Sequence, residues 1–114
     1  MNAGHLRHHI RIDRAAKPWP VVDGEPVPEW AEYSKPWAEL KPVSARELVA
    51  TGLTVARETV TVEMRYSSLS AVITANEEWR MVYRDRQYDI RHADTFTRRH
   101  QGAVTLICEA RSDA

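Results

Sequence analysis

The segment Thr59–Tyr66, TVTVEMRY, changes between polar and apolar at every residue, and no helix tolerates that period. In an extended chain successive side chains point to opposite faces, so Val60, Val62, Met64 and Tyr66 line one face and Thr59, Thr61, Glu63 and Arg65 the other. The same alternation recurs in HLRHHIRIDR, PWAELKPV, WRMVY, QYDI and AVTLICEA. The chain therefore reads as mainly β, with six strands each burying one face. Several short strands separated by turns point to a small six-stranded β-barrel or sandwich, because closing the sheet removes aggregation-prone edges.

What lies between the strands is long for a chain of 114 residues. Lys17 to Pro36 carries five prolines and Asp23-Gly24, which reads as a loop with a loose hairpin at the Asp-Gly pair. Ser44 followed three residues later by Glu47 has the spacing of a capping box, and Gly52 supplies a stop, which predicts one short α-helix within a helix-and-loop segment spanning 43–58. SSLSAVITANEE reads as a connection with a turn near Ile73 to Asn76. Between Trp79–Tyr83 and Tyr88–Ile90 the charged tip Arg84-Asp85-Arg86 closes a β-hairpin. One domain over 1–114 is the organisation expected.

Composition narrows the function more by exclusion than by assignment. Sixteen basic residues balance sixteen acidic ones, so no overall field draws the protein to nucleic acid or anionic lipid. The charges are segregated: Asp23 to Glu63 holds eight acidic and four basic residues, whereas Arg80 to Arg99 holds six arginines and three aspartates. Opposite faces of that kind suit copies packed side by side. Cys108 is the only cysteine and falls on an apolar strand face, so it reads as an inert buried thiol in a chain made in a reducing compartment. No apolar run is long enough to span a membrane, and MNAGHLRHH lacks the apolar core of a signal peptide.

No reactive constellation stands out. There is no glycine-rich phosphate loop and no nucleophile elbow. His8 and His9 would face opposite sides of a strand, as would His5 and His8, so a metal set is not assembled. No cofactor and no enzymatic activity is expected. Trp37, Trp79, Tyr66, Tyr83 and Tyr88 fall on strand faces and read as core. Trp19 and Trp30 lie in the proline-rich loop, where packing onto the barrel competes with a role as anchors for a partner. Rings alternate with arginines, as in Trp79-Arg80 and Tyr83-Arg84, which places aromatic and guanidinium groups on opposite faces and weakens the case for an oligonucleotide-binding barrel.

Taken in order, AGHLRHHIRIDR, WAEYSKPWAELKPVSARELV, WRMVYRDRQYDIRHA and LICEA resemble the phage head–tail joining, or head closure, proteins (adaptors and stoppers). The resemblance runs from Ala3 to Ala110. It places Gly4, Leu6, Arg7, Ile10 and Ile12 on the opening strand. Trp37, Ala38, Pro42, Ser44, Arg46 and Glu47 match the central motif, and Tyr83, Arg86, Tyr88 and Ile90 the hairpin. The chain departs from that pattern at the hairpin tip, where glycine or asparagine is usual, and after Tyr66, where a basic, glycine-containing run is absent. The resemblance implies a virion protein at the head–tail interface, assembled in the bacterial cytoplasm. It implies a ring, dodecameric or hexameric, of chains that are monomeric in solution. That ring would lie below the portal and adaptor and above tail completion or tail-tube proteins, retaining packaged DNA and offering a platform to the tail. On that reading Trp19, Trp30, Arg46, Glu47, Arg57, Glu58, Arg84 and Arg86 are the candidate interface residues, and the acidic middle would meet the basic later segment of a neighbour. A tail completion or terminator protein of the same virion, and a small nucleic-acid-binding barrel, are the alternatives.

Overall fold

The computed structural model describes residues 6–42, 59–96 and 101–111. Among these residues ten strands run in the order β1 (His8–His9), β2 (Arg11–Arg14), β3 (Val21–Val22), β4 (Glu25–Pro26), β5 (Ala31–Ser34), β6 (Trp37–Pro42), β7 (Thr59–Arg65), β8 (Trp79–Tyr83), β9 (Arg86–Asp94) and β10 (Ala103–Ala110). β3 and β4 form a separate two-stranded hairpin. The other eight make one antiparallel sheet in the order β1-β6-β7-β10-β9-β8-β2-β5, strongly curled into a half-barrel. The mainly β expectation holds. The higher strand count arises where ribbons bend: β1 and β2 are one ribbon broken at Ile10, and β5 and β6 are another broken around Lys35-Pro36. Counted as ribbons, the large sheet contains the six predicted.

That bend curls the sheet. His8 and His9 pair with Ala38 and Trp37 of β6, whereas Arg11 to Arg14 pair with Val82 to Trp79 of β8. Ile10, between them, donates its amide to the carbonyl of Pro36 at 3.1 Å. One short ribbon thus pairs at both ends of the strand order, and only a curled sheet allows that. Inside lie Ile10, Ile12, Ala38, Val62, Met64, Ile73, Trp79, Met81, Tyr88, Ile90, Val104, Leu106, Cys108 and Ala110, a single apolar cluster. Val62 and Met64, and Val104, Leu106 and Cys108, face inward as their alternation predicts. β10 sits between β7 and β9, and Ala103, Ile107 and Glu109 on its other face are buried as well.

Several expectations are corrected. Trp37 is not core: it is 54% exposed and stacks on His9, with ring centroids 4.6 Å apart. It shares its face with Glu39 and Lys41, while Ala38 takes the inward position. Ala31–Ser34, expected to be loop, pairs with β2. Ala31 and Glu32 are exposed and show no apolar alternation; Tyr33 alone packs against the core, edge-on to Trp79 with ring centroids 4.8 Å apart. In the connection after Tyr66 a 3-10 turn at Ser70–Val72 precedes the predicted turn and delivers Ile73 into the core. Ser67 and Ser70 hold that turn through each other: the Ser67 amide donates to Ser70 Oγ at 2.8 Å and the Ser70 amide to Ser67 Oγ at 3.1 Å. The Asp-Gly hairpin forms as predicted, with Asp23 and Gly24 at φ 51° and 83° in the left-handed region that such a turn demands. The predicted helix within 43–58 lies outside the described residues.

Leu106 and Met81 are wholly buried, so Leu106→Ala or Met81→Ala should cost about 2–5 kcal/mol in urea unfolding. Burial pushes the Cys108 thiol pKa up, so a thiol reagent at pH 8 should label the native chain only at the rate of unfolding.

Candidate functional site

The hairpin tip is tighter than expected. Tyr83 pairs with Arg86, so Arg86 belongs to β9 and the turn consists of Arg84 and Asp85 alone. Their φ angles are 50° and 63°, which fit the two-residue turn that matches the sheet's twist. An arginine in this region costs roughly 1–2 kcal/mol, so the chain accepts strain to present a charge where glycine would be easier. Arg84, Asp85 and Arg86 are all exposed. Tyr83 anchors the hairpin end to the opening ribbon, its hydroxyl 2.7 Å from His8 Nδ1.

Arginines and rings are not segregated as the alternation predicted. The guanidinium of Arg84 lies 5.2 Å from the Tyr83 ring centroid, and that of Arg86 5.7 Å from Tyr88. Long side chains reach around the strand edge to neighbouring ring faces, where a cation is attracted.

On the outside of the sheet the register aligns a transverse row: Glu32, Asp13, Arg80, Asp89 and Glu109 are successive cross-strand partners. The alternation of HLRHHIRIDR puts Asp13 on the polar face, opposite Ile10 and Ile12, yet Asp13 is only 2% exposed. It accepts from Arg11 Nε at 2.8 Å and from Arg80 Nε at 2.8 Å. Asp89 and Glu109 are like charges directly opposite each other, which alone would repel. Arg91 offsets this by reaching both, and Arg111 Nε donates to Asp89 at 2.6 Å. No motif marked this row, because it depends on strand register; the sole local trace is Arg11 and Asp13 on one face.

Trp30 packs onto that row. Its ring lies between Arg80, 4.5 Å from the centroid, and Arg111 at 5.6 Å. Trp19 donates from Nε1 to the Ala15 carbonyl at 2.7 Å, and Lys17 Nζ lies 5.0 Å from its ring. Lys17 is in turn ion-paired with Glu77. Both tryptophans are half-buried and line one cleft with Asp89, Arg91 and Arg111. They are held by their own chain, and neither Arg84 nor Arg86 lines that cleft. Arg46, Glu47, Arg57 and Glu58 lie outside the described residues. Among those described, no three His, Cys, Asp or Glu residues are placed to hold a metal ion. His8 faces Tyr83, and His9 Nε2 lies 2.8 Å from the Lys35 carbonyl oxygen.

Because Arg80 is largely buried against Asp13, Asp13→Ala should destabilise by about 3 kcal/mol in urea unfolding. Replacing the pair together, Asp13→Leu with Arg80→Met, should recover much of that loss. Arg84→Asn with Asp85→Gly should raise stability by about 1 kcal/mol in the same measurement by relieving the turn.

The fold is shared with a solved structure. The solution structure of protein SF1141 from Shigella flexneri 2a superposes with a TM-score of 0.65 at 22% identity, covering all of both chains. No curated protein matches the chain. The family model for the phage head completion protein matches residues 1–111, nearly the full sequence. The chain therefore belongs to the phage head completion protein family, a structural component of the virion.

Proposed function

We propose that this protein closes the filled phage head. In this reading copies assemble as a ring below the portal and adaptor, keep packaged DNA in place and present the surface to which the tail attaches. The family match over 1–111 carries the reading. The structure supports it in a second way: the charged side chains outside the barrel are organised by pairing and stacking rather than around a reactive group. Asp13, Arg80, Asp89 and Arg111 make a stiff outer face, and Trp19 and Trp30 bind the long loop to it.

Arg84 and Arg86 then serve neighbours above or below the ring, since both are exposed at the end of the hairpin. The loop of 17–36 and the segment of 43–58 are the other candidates for partner contact. DNA passing through the ring meets a chain with no net charge, which suits a conduit better than a tight binder.

Tail-less heads viewed by electron microscopy with and without the protein test the proposal. An added collar at the portal vertex with DNA retained is the expected result. A collar on isolated tails instead would assign the protein to tail completion. Arg84→Glu with Arg86→Glu should leave thermal unfolding within a degree or two of wild type while abolishing head–tail joining, assayed by mixing heads and tails. Unchanged joining would remove the hairpin tip from the interface.

A further inference from the structure

Two exposed apolar features, one before β5 and one after it in the chain, carry opposite charge. The first is the β3–β4 hairpin, which stands apart from the large sheet and is tied back by the Val27 amide to the Pro20 carbonyl at 2.8 Å. It exposes Val21 by 70% and Val22 by 52%, with Val27 beside them. Its charges are all acidic: Asp23, Glu25 and, just after it, Glu29. The second is a groove of about 300 Å³ beyond the other end of β5, floored by Leu6, Pro36, Trp37, Met64 and Leu69. Leu69 is 51% exposed there, and among the described residues the charged ones lining the groove are Lys35 and Arg65. The serines at its wall, Ser67 and Ser70, are turned into their own backbone turn and offer little to a polar ligand. No residue of the hairpin lines the groove.

An acidic knob carrying exposed valines and a basic-rimmed apolar groove, on separate parts of one surface, form a head-to-tail pair. Such a contact repeats from copy to copy and gives a ring where the rotation closes, whereas a twofold contact stops at two copies. We infer that the Val21–Pro26 hairpin of one copy seats in the Trp37–Leu69 groove of the next, with Asp23 and Glu25 against Lys35 and Arg65. The inference rests on the ring assembly proposed above and names its side-to-side contact. It keeps the acidic middle segment as one partner. The basic partner moves to Lys35 and Arg65, because Arg80 and Arg91 are already engaged with Asp13, Asp89 and Glu109 of their own chain. Among the described residues Lys35 pairs with exposed Glu32 at 3.5 Å, a weak contact that a neighbour's carboxylates replace at little cost.

Cross-linking on filled heads tests this. Val22→Cys and Leu69→Cys lie at exposed positions, and native Cys108 is buried, so oxidation reports on the introduced pair. The double variant should give a ladder of multimers on a non-reducing gel, and each single variant should stay monomeric. A monomer band alone from heads that show a collar would overturn the contact while leaving the ring standing. Dimers from a single variant would replace it with a twofold contact. Heads without any collar would remove the ring and this contact together. Charge reversal gives a second readout. Asp23→Lys with Glu25→Lys, or Lys35→Glu with Arg65→Glu, should each lower the yield of tailed particles about tenfold or more. Combining the four changes in one chain should restore most of that yield, and a combined variant as defective as either pair would refute the charge match.

Discussion

A ribbon of seven residues, His8 to Arg14, decides the shape of this molecule. Because it changes pairing partner at Ile10, from β6 on one side to β8 on the other, the intervening strands must curve to meet it twice. The inward side chains then converge on one volume rather than spreading over a flat face. Met81, Leu106 and Val62 become inaccessible for that reason. Everything described on the outside, from the charged row to the hairpins, is positioned by that curvature.

The sequence revealed the parts that depend on local alternation and hid those that depend on register. Val60 to Tyr66, the β8–β9 hairpin and the final strand were legible because period two is written into them. The Asp23-Gly24 turn was legible because its backbone conformation selects few residue types. Ala31–Ser34 was not, since a strand pairing through its backbone leaves little trace in side-chain pattern. Asp13 was misread for a related reason: its burial comes from Arg80, sixty-seven positions away, and only the alignment of β2 with β8 brings the two together. Trp37 shows the limit of reading size as burial. Parity placed it outside, and a small alanine filled the interior position beside it.

The candidate site divides in the same way. The tryptophans of the long loop were visible as unusual, but both turn out to be fastened to their own barrel by a hydrogen bond or by stacked arginines. The resemblance of the ordered motifs to head closure proteins agrees with membership of the head completion family, and neither depends on a catalytic motif. A protein whose product is a shape leaves its function in surface features such as a strained tip or a loop tied down by its own side chains. Those become interpretable only after the strands are aligned.

The position of β10 bears on how a change in one strand spreads. It occupies the middle of the sheet, bonded to β7 on one side and β9 on the other, and both of its faces carry buried side chains. A side chain that does not fit there disturbs two neighbours at once, whereas one on β1 or β5, at the ends of the strand order, disturbs a single pairing. Mutational tolerance is therefore graded across the sheet and narrowest along its central strand.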